Sequence, residues 1–515
     1  EDHQISSNMS KMQQVARKAA KVTAVGGGIF GSYRFVDTFL NDNLDDIPYA
    51  IKVFFSRAPA ERKKVVVLGS GWGATSFVKK LDPALYDVTV ASPRPFFFYT
   101  PLLCSSTTGV VNPCNIIEPI RDVNRSVRYL NVSCKDVDLK AKKVVCKGSG
   151  DSAELTLDYD HLVVSVGAQP NTFGIKGIQE HAMFLKEVEH GRAVREKLLT
   201  NIEKADVAFA AGNMEEMKKL LNVVVVGGGP TGVEFCGELC DFINKDLSQQ
   251  YPNLAGHFKV TLVEALPGIL AMFKKEIAQH VETHLAKQGV EMRLNAMVKE
   301  AEPDKVHLKN KDGTVETLDY GMLLWVGGVC MRPFTKQVAD QIGKEEGQTD
   351  RRGLLVDSCL RVKGTPLGEV FALGDCAVSG KPPTAQVAAQ QGKYLGRMFR
   401  KGSESMIEDA EAAPFVFKDK GKMAYIGESK AAAEVMPAGV LRLGEGKLSD
   451  YTFWRSLYGD QEDIRFLGWA GFAVWRYTYF STMFSLRNQY AVGMDWSRSA
   501  LFGRPATSSV VGTAN

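Results

Sequence analysis

The sequence lacks the excess of positive charge that a nucleic-acid-binding protein usually has. Its 515 residues carry a net charge of only +4, and 45% are hydrophobic, as in an ordinary globular protein. A chain of this length exceeds what one hydrophobic core supports, so two or three domains are predicted. Composition therefore favours a multidomain globular protein and gives no reason to expect a nucleic-acid partner.

Paired cysteines are also missing. The nine cysteines are scattered and none forms a C-x-x-C pattern, which speaks against a disulfide framework and a zinc site. The calcium-loop pattern D-x-[DN]-x-[DN]-G is absent as well. We therefore expect reduced, mostly buried thiols and no bound metal.

No stretch has the composition of a transmembrane helix. The longest uncharged run, residues 95–117, holds three prolines and polar clusters, which predicts a buried loop near a cofactor. Residues 22–33 are apolar but too short to span a bilayer, and the glycines at 26–31 have no strand before them. Because the chain begins with Glu1 rather than Met, removal of a targeting segment is an expectation.

The strongest motif is NVVVVGGGPTGVE, residues 222–234. Four valines predict a buried strand, and Gly227, Gly229 and Gly232 fit the dinucleotide pattern G-x-G-x-x-G. The glycines permit a tight turn and close approach to a pyrophosphate, which the free N–H groups of the next helix bind. The following strand ends at Glu264, placed to accept a hydrogen bond from a ribose 2′-hydroxyl. Nucleotide binding is therefore predicted.

A weaker copy of this motif begins at Lys63, with the sequence KKVVVLGSGWGA. It predicts a strand, a turn at Gly69 and Gly71, and a helix near Ala74, which takes the third glycine position. The next strand ends at Ser92, where an acid normally stands. A serine hydroxyl still hydrogen-bonds a ribose, although without the charge.

Both motifs are followed by a strand that ends in small residues, which indicates a repeat of whole domains. These residues are Gly167 and Ala168 in the first half, after a predicted β-meander, and Gly327 and Gly328 in the second. A helical stretch around residues 186–210 is predicted between the halves.

A later strand, in EVFALGDCA, presents Gly374 and Asp375 at its carboxyl end. An aspartate there, next to a helix N-terminus, can accept a hydrogen bond from a polyol such as ribitol.

The segment PPTAQVAAQQGKYLG predicts a helix with Gln386 and Gln390 one turn apart on one face. Its alanines suit a helix that serves only for packing. Glutamines are poor core residues unless a polar group faces them, which favours a ligand-binding role.

The C-terminal segment is rich in aromatic residues and arginines. Trp454, Trp469, Trp475 and Trp496 lie there, and arginines recur every eleven residues at 465, 476, 487 and 498. This composition predicts helices lying on an anionic membrane, with tryptophans at the headgroups and Phe466, Phe480 and Phe484 in the acyl region. The alternative is a helical hairpin packed on the body or on a second subunit, and both remain open.

Two nucleotide motifs followed by an LGD segment resemble the flavoproteins with two dinucleotide-binding domains. Within them the sequence is most similar to the type II, non-proton-pumping NADH:quinone oxidoreductases of eukaryotic mitochondria. The similarity spans residues 63–505 and includes VVVLGSGWGA, SPR…FFYTPLL, LVVSVGAQPNTFG, VVVVGGGPTGVEFCGEL, EVFALGDCA, AQVAAQQG and AYIG. AQVAAQQG fits the family's quinone-pocket signature A-Q-x-A-x-Q-x-G. The resemblance implies an α/β fold with two Rossmann-like domains and a C-terminal membrane-associated helical region.

The resemblance also implies residue roles. FAD, held non-covalently, would contact Gly69, Gly71, Trp72, Gly73, Ala74, Ser92, Pro93, Arg94, Thr100, Pro101, Gly167, Ala168, Gly374, Asp375 and Ala385. NADH would contact Gly227, Gly229, Pro230, Thr231, Gly232, Glu264, Gly327 and Gly328. Glu234 would orient nicotinamide or flavin or relay a proton, and Gln386 and Gln390 would line the quinone pocket.

The expected domain order places the FAD-binding domain on both sides of the NADH-binding domain. We expect an N-terminal extension (1–60), FAD-binding parts at 61–190 and 336–400, an NADH-binding domain at 191–335, and a membrane-association and dimerisation region at 401–515. The expected partners are NADH, a ubiquinone-like quinone, the lipid surface, a second copy of the chain and respiratory complexes. The expected location is the mitochondrial inner membrane, peripherally, on a side that the sequence does not specify.

Two rival functions share this architecture. A sulfide:quinone oxidoreductase needs two facing cysteines, for which only Cys330 and Cys376 are candidates. A redox-dependent interaction protein resembling apoptosis-inducing factor would show slow NADH oxidation without quinone. Both are disfavoured, the first by the second nucleotide motif with Glu264 and the second by AQVAAQQG and the small net charge.

Overall fold

The computed structural model describes residues 62–81, 85–148, 154–400, 407–409, 412–435 and 464–505. The predicted N-terminal extension and Trp454 lie outside these residues. The described residues between 63 and 434 and between 465 and 505 belong to one compact unit, which contains both nucleotide motifs.

The strands are, in chain order, β1 (Lys63–Leu68), β2 (Tyr86–Ser92), β3 (Phe96–Phe98), β4 (Ile117–Pro119), β5 (Arg128–Asp138), β6 (Lys143–Gly148), β7 (Glu154–Asp158), β8 (His161–Val164), β9 (Ala168–Pro170), β10 (Met183–Phe184), β11 (Asn222–Val226), β12 (Lys259–Glu264), β13 (Val290–Leu294), β14 (Met297–Ala301), β15 (Lys305–Lys309), β16 (Val315–Asp319), β17 (Met322–Trp325), β18 (Val329–Met331), β19 (Leu354–Leu355), β20 (Val370–Ala372), β21 (Ala377–Val378), β22 (Lys422–Gly427), β23 (Lys430–Val435) and β24 (Ile464–Phe466).

The helices are α1 (Trp72–Lys80), α2 (Leu103–Thr107), α3 (Ile120–Val123), α4 (Ile178–His181), α5 (Val188–Ala210), α6 (Met214–Leu220), α7 (Pro230–Asp241), α8 (Pro252–Ala255), α9 (Lys275–Lys287), α10 (Pro333–Ile342), α11 (Ala385–Arg400), α12 (Gly468–Ser481) and α13 (Leu486–Phe502). Helix α7 continues through π-helical residues Phe242–Leu247 into a helical turn at Ser248–Gln250.

The first sheet has the strand order β20-β8-β1-β2-β5-β6-β7. Strands β20 to β5 pair in parallel, and β5, β6 and β7 form the predicted antiparallel meander. The valines of β1 are buried because helices cover both faces of a parallel sheet. The returning strand β20 joins this sheet although it lies some two hundred residues after β8 in the chain, so the strands of the first sheet come from two separate parts of the sequence.

The second sheet is entirely parallel, with the order β10-β17-β11-β12-β13. It begins before residue 190, where we expected the boundary, because β10 already pairs with β17. Residue 190 itself falls inside α5. A separate three-stranded sheet of β14, β15 and β16 is attached to this domain.

Two connections join the domains, and they pair with each other. β9 leaves the first domain and β18 returns to it, and the two strands are antiparallel partners. Residues 95–117, predicted as a buried loop, instead form β3, β4, α2 and two turns of 3-10 helix, although most of their apolar side chains are buried. The three largest clusters of buried apolar residues lie around the first sheet, the helices of the second domain, and the small sheet.

Candidate active site

A cavity of about 1020 Å³ opens at the carboxyl ends of the parallel strands of the first domain. Among the residues assigned to FAD from the sequence, its lining includes Gly69, Gly71, Trp72, Gly73, Ser92, Pro93, Arg94, Thr100, Gly167, Ala168, Asp375 and Ala385. Ala74, Pro101 and Gly374 are not part of the lining. Ligands in open α/β sheets bind at this edge, so the cavity is the candidate cofactor site.

The N-terminus of α1 fits the pyrophosphate of a dinucleotide. Gly71 precedes the helix in extended conformation, and no side chain caps the free N–H groups. A Cβ atom at Gly71 would meet only Nη2 of Arg94, 4.0 Å away, so the backbone borders open space. Free N–H groups, a guanidinium and room for a ligand together suit an anionic group.

Charged side chains that the motifs do not contain also line the cavity. Glu187 pairs with Arg94 and, at 3.3 Å, with Arg332, while Nζ of Lys186 lies 3.5 Å from Asp375. Glu187 also caps helix α5. Sequence reasoning missed Lys186, Glu187 and Arg332 because they belong to no motif and meet only after both domains fold.

The second glycine motif has the geometry predicted for it. Gly227 has a φ of +120°, and a Cβ atom there would lie 2.8 Å from the backbone of Val326, so only glycine fits. Gly229 precedes α7 without a side-chain cap, Pro230 opens the helix, and nothing lies within 4 Å of a Cβ atom at Gly229. The N-terminus of α7 is therefore free to bind phosphate.

Glu264 lies at the end of β12, beside the glycine loop. Its carboxylate accepts hydrogen bonds from the backbone N–H groups of Gly228, at 2.6 Å, and Leu266, at 2.8 Å. The carboxylate is half-buried and fixed in position at the place where a ribose is expected.

The order of the second sheet divides a bound dinucleotide into two halves. Ligands bind where the chain reverses its direction of winding, which here is between β11 and β17. Glu264 lies on the β12 side of this point, the adenosine half. Gly327 and Gly328 follow β17 on the other side, where the nicotinamide half would lie.

Glu234 is a residue of the second domain that lies at the cavity of the first domain. It belongs to α7 of the second motif, yet it lines the cavity of the first domain together with Thr231. Its carboxylate accepts hydrogen bonds from the backbone N–H of Tyr425, at 3.2 Å, and from Nε1 of Trp475, at 3.4 Å. Burial raises the pKa of Glu234 to about 8, so the carboxyl group holds a proton near neutral pH.

Gln386 and Gln390 do not line this cavity. Oε1 of Gln386 accepts from the backbone N–H of Lys420, at 2.7 Å. Gln390 exchanges two hydrogen bonds with the backbone of Lys418, of 2.8 and 3.0 Å. Both amides therefore hold the irregular segment 412–421, which we call the strap, against α11. The neighbouring Gln391 points the other way, and its Oε1 accepts from the N–H of Gly374, the residue before Asp375, at 2.8 Å.

The C-terminal helices pack on the body, which is one of the two arrangements that the sequence left open. Trp475 and Trp496 are buried, and Phe480 and Phe484 are partly buried against the core. Phe466 and Arg465 have side chains outside the described part. Because aromatic content cannot reveal which face of a helix a neighbour covers, composition alone could not decide where these side chains lie.

The side chains of Arg476 and Arg504 also point inward. The guanidinium of Arg476 stacks on the rings of Phe472 and Trp496. Arg504 is buried and pairs with Glu238 at 3.1 Å and Asp246 at 3.4 Å, both on the extended helix α7. Arg487 and Arg498 remain exposed.

An apolar stripe on α13 is left uncovered. It is formed by Leu486, Tyr490, Met494 and Leu501, with Phe502 beside it, and Trp469 of α12 is exposed as well. In the ranges that the structure describes, no helix has both the length and the apolar character to cross a bilayer. Nor do the described side chains include a group of three or more His, Cys, Asp or Glu suited to a metal ion.

Two dinucleotide-binding domains around one cavity define a flavoprotein reductase of the two-domain class, and comparisons agree. The model of the pyridine nucleotide-disulphide oxidoreductase family matches residues 63–392, and that of the NDH2 C-terminal domain matches residues 460–505. A probable mitochondrial NADH-ubiquinone oxidoreductase of Schizosaccharomyces pombe is 38% identical, over 87% of this chain and 84% of its own. The external NADH-ubiquinone oxidoreductase 2 of Saccharomyces cerevisiae is 37% identical, over 87% and 82%.

The chain belongs to the pyridine nucleotide-disulphide oxidoreductase family and, within it, to the type II NADH:ubiquinone oxidoreductases of mitochondria. The solved structure of NDH2 from Plasmodium falciparum in complex with NADH superimposes with a TM-score of 0.77 at 24% identity, covering 87% of this chain and 100% of that one. That similarity confirms the predicted fold.

Proposed function

We propose that this protein is a single-subunit FAD-dependent enzyme that transfers two electrons from NADH to a ubiquinone-like quinone at the mitochondrial inner membrane. As the family resemblance implies, it does so without pumping protons. The observation that carries the proposal is the shared cavity. Residues of the first motif and Glu234 of the second motif line the same space, so a flavin there would be within reach of a nucleotide on the second domain.

The FAD site consists of the α1 N-terminus, Arg94, Ser92 and Asp375. The α1 N–H groups and Arg94 would neutralise the pyrophosphate. Asp375, at the end of β20, would accept a hydrogen bond from the ribitol. Bound FAD supplies the redox chemistry, because its ring accepts hydride from NADH and gives electrons to a quinone.

The NADH site consists of the glycine loop, the α7 N-terminus and Glu264. Gly227, Gly229, Pro230, Thr231 and Gly232 would surround the pyrophosphate. The carboxylate of Glu264 would bind the ribose hydroxyls and repel the 2′-phosphate of NADPH.

Glu234 would supply a proton. The overall reaction, NADH + H⁺ + quinone → NAD⁺ + quinol, consumes one proton from the medium. A neutral carboxyl group in the cavity can donate that proton and be reprotonated afterwards, since its pKa is about 8.

The quinone site is proposed at the start of α11. Ala385, the first residue of α11, lines the cavity, and Gln386 and Gln390 follow on the side of the strap. Quinone binding there would replace hydrogen bonds that these amides now make to the strap backbone. The family signature A-Q-x-A-x-Q-x-G supports this assignment.

The exposed stripe of α13 would rest on the lipid surface and keep the quinone site at the bilayer. Exposed arginines at 487 and 498 lie beside it, where they would bind lipid phosphates. We propose in addition that two copies of the chain associate, and that the dimer associates with respiratory complexes.

Steady-state NADH oxidation with and without a short-chain ubiquinone tests the proposed function. Oxidation should depend strongly on quinone and be much slower with NADPH. Slow oxidation that quinone does not accelerate would favour the redox-interaction alternative. Sulfide-dependent quinone reduction is not expected, because Cys376 is fully buried and its thiol lies against the carbonyl oxygens of Val164 and Leu373.

A further inference from the structure

Phe173 combines an exposed aromatic ring with an unfavourable backbone. It follows β9 in the first connection between the domains, its φ is +51°, and its side chain is 62% exposed. A left-handed conformation is uncommon for a bulky residue and costs about 1–2 kcal/mol. Strain of this kind persists only where the surroundings enforce it, and it concentrates at functional sites.

Other apolar residues with positive φ gain burial in return. Leu270 and Leu360 have the same backbone conformation, but each side chain is only 1% exposed. Phe173 has no such compensation among the described residues, since most of its ring faces solvent. Packing of the folded chain alone therefore does not account for this ring in this position.

Hydrogen bonds hold the Phe173 turn on the loop after β17. The N–H of Asn171 donates to Gly328 O at 3.0 Å, and its own carbonyl accepts from Nε1 of Trp325 at 2.8 Å. Its side chain then accepts from the N–H of Phe173 at 2.9 Å. These bonds fix residue 173 relative to Gly327 and Gly328.

The ring lies beside the loop after β17, where the nicotinamide half of a dinucleotide is expected. A Cβ atom at Gly328 would lie 3.5 Å from Cζ of Phe173, and the ring meets Trp325 edge-on, with 6.4 Å between centroids. The loop after β17 lies on the opposite side of the winding reversal from Glu264. A planar, apolar surface at this position suits a nicotinamide ring and its ribose.

We propose that Phe173 is a positioning residue of the NADH site: its ring covers the nicotinamide half of NADH, and the left-handed backbone holds it there. The inference rests on the proposed function, because it assumes that NADH occupies the second domain. The Phe173 ring would contribute to the binding free energy of NADH in addition to the glycine motif and Glu264.

The test compares Phe173→Ala, Phe173→Tyr and the starting protein, all loaded with FAD. In stopped-flow experiments, Phe173→Ala should need about five- to tenfold more NADH than the starting protein for the half-maximal rate of flavin reduction. Phe173→Tyr should need the same NADH concentration as the starting protein. Competitive inhibition by ADP-ribose, which lacks nicotinamide, should not change. The quinone KM and the flavin content should not change either.

A second variant separates positioning from structural support. Phe173→Asn places a residue that tolerates the left-handed region at the same position, so Tm should not fall while NADH binding weakens. Ser429→Asn is the matched control, because Ser429 has a φ of +56° in the β22–β23 turn, away from the loop after β17. It should leave the NADH dependence unchanged.

Each other outcome overturns the inference. Equal NADH dependence in Phe173→Ala and the starting protein would show that the ring does not contact the substrate. Equal weakening of ADP-ribose, or a lower Tm in Phe173→Asn, would show that the ring only supports the loop. If the starting protein itself fails to reduce its flavin with NADH, the proposed function fails instead, so the two failures are distinguishable.

Discussion

The carboxylate of Glu264 is fixed by two backbone N–H groups and therefore presents its negative charge at a defined place. Glu264→Gln removes this charge and with it the repulsion of a 2′-phosphate. We expect the ratio of kcat/KM for NADH to kcat/KM for NADPH to decrease about fivefold, because roughly 1 kcal/mol of screened repulsion is lost. Flavin content, which depends on the other domain, serves as the control, and an unchanged ratio would refute the assignment.

The raised pKa of Glu234 predicts a pH dependence with a definite sign. Because the folded-state pKa of about 8 exceeds the ordinary 4.5, the folded protein binds more protons than the unfolded chain between these values. The contribution of Glu234 to stability therefore declines as pH rises from 4.5 to 8 and is constant above that. In Glu234→Gln, this decline of stability between pH 4.5 and 8 should be absent from the pH dependence of Tm.

The same residue should control catalysis at alkaline pH. If the neutral carboxyl group donates the proton, quinone reduction by the starting protein falls as pH rises through about 8. Glu234→Gln should show a lower rate without that fall. An alkaline limb that persists in the variant would assign the titration to another group.

Among single residues, the sequence predicted those whose role depends on neighbours in the same short segment of chain. Gly227, Gly229 and Glu264 follow one another along a strand, a turn and the next strand, so their spacing already defines the motif. Glu187 and Arg332 were missed because their ion pair joins segments 145 residues apart. Phe173 lies within a segment that resembles the family, but nothing in the sequence singles it out, since positive φ has no signature at a phenylalanine.

Helix α11 directs neighbouring glutamines to two different surroundings. Its Gly392 packs directly on α1, where a Cβ atom would lie 2.3 Å from Gly73 O, so the two helices are in close contact. This fixes Gln391 toward Gly374 and leaves Gln386 and Gln390 toward the strap. The sequence predicted the helix and the glutamines, but the strap that they bind could not be predicted because it has no periodicity.

The division predicts different effects for adjacent glutamines. Gln390→Leu should raise the quinone KM several-fold and leave flavin reduction by NADH unchanged. Gln391→Leu should instead lower the FAD content, because the backbone N–H of Gly374 loses its acceptor at a cost of about 1–3 kcal/mol. Stopped flow and the flavin-to-protein ratio measure the two effects, and flavin reduction slowed in Gln390→Leu would move that residue to the nicotinamide side.

For the whole molecule, the repeat of two doubly wound domains followed from the two glycine motifs and the matching strand ends. The boundary at residue 190 was misplaced because β10 has only two residues, too few to show a strand pattern. The inward packing of the C-terminal helices was one of two arrangements between which the sequence could not decide. Arg504 pairs with the buried carboxylates of Glu238 and Asp246 on α7, which lie far from Arg504 in the sequence.

This packing determines how membrane binding must be tested. Deleting residues 465–515 would leave Glu238 and Asp246 buried without their arginine, which costs several kcal/mol and would confuse unfolding with release from lipid. The exposed stripe of α13 offers a cleaner change, because Leu501 and Phe502 are 75% and 83% exposed. Their replacement should leave the fold intact.

The double variant Leu501→Ser/Phe502→Ser should therefore lose binding to liposomes that contain anionic lipid, since both side chains would otherwise leave water for the acyl region. Activity with a long-tailed quinone in liposomes should fall, while activity with a short soluble quinone should not. The matched control is Met297→Ser/Val315→Ser, which removes two comparably exposed side chains from the small sheet of the second domain. If the α13 variant still binds liposomes but sediments as a monomer where the starting protein is a dimer, the stripe is a subunit interface and the membrane assignment is wrong.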